Sequence, residues 1–372
     1  VTTAVPIAVT TAVTAAVTAA VTTVDTGAVT DTVAGTTGST AEAAAGAVPT
    51  LDDVAREAGV SRSTASRVIN GGARVSPAAL TAVEDAIARL GYAPNRAARS
   101  LVTRRTGSIA LVVSEPDKRL LSDPFLSAVL VGVNEGLVGT ELQLVLLLAR
   151  AGEAPGHLAR YLRNGHVDGA IVVSHHKEDR LERVDAVPVV FIGRPFGGAV
   201  TYLDVDNVEG GRIATRRLLA AGRRRVATIS GPLDMTAAVD RLEGWRAELA
   251  SAGLPADAVA EGDFTVTGGV AAMERLLSVH PDLDAVFAAS DLMAEGAMRV
   301  LAATGRRVPQ DVSVVGFDDL GGPERTSPRL TTVRNPVVEL AAGATSTLLD
   351  LMAGGAPASR VFTPRLVEGA SA

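Results

Sequence analysis

The feature that most limits the fold is a series of apolar runs of strand length, separated by stretches of helical length and arriving in two successive sets. The first set is SIALVVSE from Ser108, LQLVLLLA from Leu142, GAIVVS from Gly169 and VPVVFIG from Val187, with helical stretches over 125–137 and 155–164. The second is RRVATISG, DAVFAAS and VSVVGFDD, with helices predicted over 236–252, 269–279 and 292–304. Unbroken apolar runs mark strands covered on both faces, the pattern of parallel sheets flanked by helices. Two such sets in tandem predict a bilobed α/β body, two doubly wound parallel sheets with a cleft between them.

Ahead of the body, residues 50–101 follow a different rule. Thr50 with Asp53 three residues on is a capping box in its looser form, and Leu51, Val54, Ala55 and Ala58 then share one helical face. Gly59 supplies a sharp turn and Ser61 caps a second helix, with Ala65, Val68 and Ile69 inward and Arg62, Ser63, Ser66 and Arg67 outward. Ser76 and Pro77 open a third helix that points Leu80, Val83, Ile87 and Leu90 inward and stops at Gly91. This is a helix-turn-helix pattern, which places its second helix in the major groove of DNA. Arg62 and Arg67 have the fork geometry to read guanine, and Ser63 is adaptable. The bland alternative is a solvated arginine face on a helical hairpin. Beyond Pro94, Asn95 can cap one more helix over 96–101. At about two turns it is marginal alone, because nucleation is costly.

Charge follows the same division. Residues 50–107 carry nine arginines against five carboxylates, on a chain of net charge −6. A small basic module on an acidic body suits a protein that meets a polyanion through one part only. Cysteine is absent, which excludes disulfides, thiolate zinc sites and thiol catalysis. Residues 1–49 are nearly all Val, Thr, Ala and Gly, a composition that rarely builds a core. The stretch lacks a basic n-region and is threaded with Thr, which argues against a signal peptide or membrane span. It is expected to be a disordered extension, or upstream sequence read through from a missed start.

Ligands of open α/β sheets sit beyond the carboxyl ends of the strands. That rule selects Asp123 and Phe125 after the first run, Arg241 and Phe264 after RRVATISG, Ser290 and Asp291 after DAVFAAS, and Asp318 after VSVVGF. An arginine fork, carboxylate acceptors and an aromatic face suit a polyhydroxylated ligand. Phe125 equally suits first-turn core, and Asp291 equally suits a helix cap. His175 and His176 follow a strand and point to opposite sides, so one of them faces the cleft, and His175 joins the candidate set. The five histidines form no HExxH pattern, and no phosphate loop stands in its required context. No metal, cofactor or catalytic set is therefore expected.

The run DVAREAGVS…TASRVING…VS…LGYAPNRAARSL, together with the later segments, closely resembles the lactose-repressor (LacI/GalR) family of bacterial transcription regulators, over roughly residues 50–369. The resemblance implies an all-α helix-turn-helix head (50–93), a hinge helix and linker (94–107), and a periplasmic-binding-protein-like effector body (108–372). Its N-lobe is expected at about 108–203 plus 334–354, and its C-lobe at about 204–333 plus 355–370. The chain would then cross between lobes near Leu203 and Val333, and again after Gly354. The resemblance also implies DNA contacts at Thr50, Ser61, Arg62, Ser63, Thr64, Ser66, Arg67, Asn70, Tyr92, Asn95, Arg96, Ala98, Arg99 and Leu101, with Leu101 wedged into the minor groove to kink the duplex. It supports Arg241 and Asp318 as effector contacts. Two departures stand out. Ala65 replaces a commoner Val, and Asn335 replaces a frequent Gln whose longer reach allows a cleft contact.

The expected protein is a cytoplasmic repressor. It binds a near-palindromic double-stranded operator as a homodimer, without membrane association, and answers to a small-molecule effector, a mono- or oligosaccharide. No leucine heptads follow TPRLVEG, so a dimer and not a tetramer is expected. Effector binding should change the angle between lobes and decide whether the marginal hinge helices form. The rival is a sugar-binding protein or carbohydrate-active enzyme whose basic head is incidental. An enzyme needs a convergent acid/base or phosphate-binding set, which the sequence does not show.

Overall fold

In the computed structural model, residues 49–70, 72, 75–93, 105–115, 123–148, 156–179, 181, 184–320 and 326–372 are described. They fall into two compact units divided at Ala93. In the first unit, local signals set every boundary. Helix α1 (Leu51–Glu57) carries the full capping box, with Thr50 Oγ1 accepting from the Asp53 amide and the Asp53 carboxylate accepting from the Thr50 amide. Helix α2 (Arg62–Ile69) is capped by Ser61, and α3 (Pro77–Leu90) by Ser76 with proline in its first turn. Gly59 and Gly91 make their turns in the left-handed region, at φ of 67° and 60°, where a Cβ is strained.

The three helices close on a small core of Val54, Ala55, Ala65, Val83 and Ala86, with Val68, Ile69, Ile87 and Leu90 packed around it. The expected inward set for α3 needs one correction. Leu80 is 42% exposed, because the two short partner helices leave most of the first turn of α3 uncovered.

The second unit contains two six-stranded sheets. The first runs β11-β5-β4-β3-β1-β2, with β1 Ser108–Val113, β2 Gln143–Leu148, β3 Gly169–Val173, β4 Val189–Ile192, β5 Thr201–Val205 and β11 Arg360–Phe362. The second runs β12-β10-β9-β8-β6-β7, with β6 Val226–Ser230, β7 Val259–Glu261, β8 Ala285–Ala288, β9 Ser313–Asp318, β10 Thr331–Arg334 and β12 Arg365–Val367. Every pair is parallel except β10 with β12, so the second sheet is parallel with one antiparallel edge strand.

Helices α4 (Pro124–Gly136), α5 (His157–Arg163) and α10 (Val337–Met352) belong to the first lobe. Helices α6 (Asn207–Ala220), α7 (Thr236–Ser251), α8 (Val266–Val279) and α9 (Asp291–Ala303) belong to the second. Each sheet has a separate apolar core on either face, as double winding requires. The run LQLVLLLA, whose composition suggests full burial, is the exception. As β2 it forms the sheet edge and is only partly covered, with Leu146 36% exposed.

The chain leaves the first sheet after Val205 and returns from the second after Arg334. The third crossing corrects the expectation of one after Gly354. The chain turns back after α10 and lays Arg360–Phe362 along β5, in register with Leu203–Val205. Only then does it cross, and β12 pairs with β10. Each short strand supplies partners to a sheet edge that otherwise presents unpaired backbone groups.

Candidate functional site

On the head, α2 presents Arg62, Ser63 and Arg67 exposed, as is its C-cap Asn70, with Thr64 and Ser66 half-buried. Part of this set is committed to the fold. Thr50 Oγ1 is held in the capping box, at 2.7 Å from Asp53 Oδ2. Ser61 Oγ accepts from the Thr64 amide at 3.1 Å and lies 2.9 Å from both Ser63 Oγ and Thr64 Oγ1. Asn70 Nδ2 donates to Ser66 O at 2.7 Å, tying off the end of the helix. Tyr92 packs against the head core. Arg62 and Arg67 are the long exposed cations of the face, and Arg62 Nε lies 3.3 Å from Asp52 Oδ1 of α1. That acidic neighbour is absent from the sequence-based candidates. Asn95, Arg96, Ala98, Arg99 and Leu101, with the hinge helix assigned to them, lie outside the described residues.

In the body, the strand-end candidates converge. Asp123, Phe125, His175, Arg241, Phe264, Ser290, Asp291 and Asp318 all line one cavity between the lobes, joined by Glu115, Asp204 and Asn335 among others. Arg241 is one of its walls and is 5% exposed. Its position follows from the packing of α7 on α6. A Cβ on Gly244 would stand 2.0 Å from Val208 O, and one on Gly211 would stand 2.3 Å from Arg241 O, so only glycine at both points lets the helices approach this closely.

Arg241 Nε donates to Asn207 Oδ1 at 2.9 Å and Nη1 donates to Ala289 O at 2.6 Å. Nη2 lies 3.5 Å from Asp318 Oδ1, and the guanidinium stacks 3.6 Å from the Phe317 ring centre. Burial lowers the guanidinium pKa, and the carboxylates of Asp318, Asp204 and Asp291 oppose that shift. Burial pushes Asp318 up to about 6 against the pull of Arg241. Burial, followed by repulsion from Asp318, pushes Asp291 up to about 8. Asp204 is raised to about 6, again by burial. Five carboxyl groups and one guanidinium therefore line the cavity, a surplus of acceptors that favours a ligand that donates hydrogen bonds.

The alternatives left open for two residues have definite outcomes. Asp291 does not cap α9. Ser290 does, accepting from the Met293 amide at 3.3 Å, while Asp291 accepts from the Thr332 hydroxyl at 2.5 Å. Phe125 does both jobs, packing on the core of the first lobe and lining the cavity. Asp123 caps α4 through the Phe125 amide.

His175 is buried edge-on against Phe191, and burial lowers its pKa to about 4. Neither ring nitrogen has a well-formed hydrogen bond, the Arg194 backbone offering only a weak one. Asn335 donates to Asp318 Oδ1 at 3.3 Å, while its own Oδ1 is buried with no partner. Buried polar atoms left unpaired are costly, and a polar ligand in the cavity would satisfy them.

Backbone strain gathers at the same place. Ser174, Phe264, Asp318 and Asp319 are the described non-glycine residues with positive φ, and the first three line the cavity. Glu115, Asp204 and Asn207 escaped the sequence reading. Glu115 ends the SIALVVSE run and was within reach of the strand-end rule, whereas Asp204 lines the cavity from β5 and Asn207 gains its role through Arg241.

The model of the bacterial regulatory proteins, lacI family, matches residues 50–95, and that of the periplasmic binding protein-like domain matches residues 215–372. The HTH-type transcriptional regulator CelR of Thermobifida fusca is 49% identical over 314 residues, covering 82% of this chain and 92% of that protein. The ribose operon repressor of Escherichia coli K12 is 38% identical over 299 residues, covering 78% and 89%. Among solved structures, a CelR–cellobiose complex covers 87% of this chain and 100% of its own, with 46% identity and a TM-score of 0.69. The Lac repressor dimer bound to operator and the anti-inducer ONPF covers 87% and 98%, with 28% identity and a TM-score of 0.77. With its helix-turn-helix reader and its bilobed body, the chain belongs to the LacI family of DNA-binding transcription regulators.

Proposed function

We propose that this regulator is a repressor acting in the cytoplasm, and that it binds its operator as a homodimer under the control of a saccharide held between the lobes. Cellobiose is the first candidate, because the CelR structure with 46% identity holds it. One observation carries the reading. The cavity joins a buried guanidinium, several carboxylates and the Phe264 ring to polar atoms of His175 and Asn335 that lack good partners, the set a polyol needs. Arg62 and Arg67 are proposed to read bases, and Ser63, Ser66 and Asn70 to contact the duplex beside them. The hinge residues Asn95, Arg96, Ala98, Arg99 and Leu101 are assigned the minor groove.

A second copy of the chain has a surface to meet. Leu130 and Val131 on α4, Val138 after it and Leu146 on the edge strand β2 are all exposed large apolar side chains of the first lobe. Footprinting on genomic DNA with and without cellobiose, paired with calorimetric titration of the sugar, tests the proposal. Protection of a two-fold site that changes with the sugar is expected. Sugar binding without site-specific protection would refute it, and so would turnover of the sugar.

A further inference from the structure

The two lobes are fastened along one flank of the cleft. Arg194, in the loop after β4, donates twice to the Asp240 carboxylate on α7, at 2.7 and 2.9 Å, and the Thr236 hydroxyl donates back to Arg194 O. Beside this pair, His176 follows β3 in the first lobe. Its Nδ1 lies 2.9 Å from Asp234 Oδ2 in the second lobe. Its Nε2 lies 3.6 Å from Glu115 Oε1, and Glu115 is itself a wall of the cavity. The Lys177 amide donates to Asp234 O at 2.9 Å, so the contact is made by backbone as well as side chain.

We propose that His176 is a positioning residue of the effector response, an interlobe clasp whose ring ties the cavity residue Glu115 to Asp234 of the opposite lobe. This inference rests on the cleft being the effector site. A neutral imidazole has one N–H donor and one acceptor, so it would turn a lone pair toward one of the two carboxylates. Only the doubly protonated ring satisfies both. The charged groups around the ring all favour that form or sit apart from it. Asp234 is within hydrogen-bond distance of Nδ1, Glu115 lies within ion-pair distance of Nε2, and Asp179 accepts the His176 backbone amide at 2.7 Å. The Lys177 ammonium lies over Phe196, and the buried His175 ring packs on Phe191.

Glu115 foremost, then Asp234, raises the His176 pKa to about 9 against the effect of burial. The clasp is therefore closed at neutral pH. Because the folded pKa lies above the ordinary 6.5, its stabilisation is complete below that value and is lost as pH rises through about 9. A ligand hydroxyl that engages Glu115 would act on the clasp directly, which links occupancy of the cleft to the arrangement of the lobes.

The absence of cysteine allows spin labels to be placed at will. Exposed Arg163 at the end of α5 and Ala303 at the end of α9 serve as label sites, as Arg163→Cys with Ala303→Cys, in full-length chain diluted with unlabelled copies. Pulsed electron resonance should give a single interlobe distance at pH 7.5 that broadens toward longer values at pH 10. His176→Gln should show the broad distribution at both pH values. His176→Lys, which keeps a cation with three donors, should restore the narrow distribution and remove most of the pH dependence. Cellobiose affinity should fall on the order of tenfold in His176→Gln and recover in His176→Lys. An unchanged distance distribution in His176→Gln overturns the clasp. If that distribution changes as expected while wild type fails to bind cellobiose, the clasp stands and the proposed effector falls.

Discussion

Replacing Arg241 with Met tests whether the cleft is held by one buried cation. The substitution removes the hydrogen bonds to Asn207 and Ala289, the pairing with Asp318 and the stack on Phe317. It also leaves Asp318 buried without its countercharge. Removing one partner of a buried pair costs about 3–5 kcal/mol, much of it the penalty on the stranded partner. Asp318→Asn alone should cost about 1–2 kcal/mol, because the Asp204 carboxylate still faces the guanidinium. In the double variant the stranded charge is gone, so its loss should fall below the sum of the singles by about 1–3 kcal/mol.

Trp245 provides the readout. It is the only tryptophan, it is fully buried in the core of the second lobe, and it lies one turn beyond Arg241 on α7. Urea unfolding followed by its fluorescence reports on the body and not the head. Protonation adds a second test. Asp318 is already raised to about 6, and losing Arg241 raises it further. A raised folded pKa contributes stability that is complete below about 3.8 and disappears as pH rises through the folded value. The deficit of Arg241→Met against wild type should therefore shrink as pH falls toward about 6, where Asp318 becomes protonated in both folded proteins. Strict additivity of the two substitutions, together with a deficit independent of pH, would refute the account of Arg241 as compensation for buried carboxylates.

Other expectations concern single sites. Arg62→Ala or Arg67→Ala should weaken operator binding by about 1–3 kcal/mol and relax preference at one base pair, measured by anisotropy over a set of single-base operator variants; equal loss on random duplex would assign both to phosphate contact. Gly231→Ala would place a Cβ 2.1 Å from Phe264 Cζ, so it should displace that ring and reduce saccharide affinity by up to about tenfold, on the order of one aromatic contact. Unchanged affinity would remove Phe264 from the ligand site. Asp291 is raised to about 8, so wild type should lose stability as pH climbs from about 4 to about 8, and Asp291→Asn should flatten that slope in thermal melts. Ser61→Ala should cost the head about 1 kcal/mol through the lost cap, measured on the full chain by hydrogen exchange of α2.

The head was legible because its instructions are local. Thr50 with Asp53, Ser61, and Ser76 with Pro77 each act within four residues, and Gly59 and Gly91 need no partner to turn the chain. Strands covered on both faces were equally plain. Composition failed where coverage depends on distant chain. The run in β2 is apolar throughout yet ends at a sheet edge, and the three residues Arg360–Phe362 carry no pattern that announces a strand. They become one because β5 has an edge to fill.

The cleft illustrates the same division within a single residue. Position in the sequence places Arg241 at a strand-end site, and its five N–H groups suggest a generous donor. The fold spends most of that capacity. Nε goes to Asn207, whose own Nδ2 donates to Asp204, one N–H of Nη1 goes to Ala289 O, and Nη2 turns one toward Asp318. Two N–H groups remain for a ligand, one on each terminal nitrogen. The rest of the recognition must then fall to groups with spare capacity, among them Asp318, Asp291, the His175 ring and Asn335 Oδ1. Arg241 therefore acts chiefly to hold those acceptors in a buried site, and the specificity for a saccharide should be changed more readily at His175 or Asn335 than at Arg241 itself.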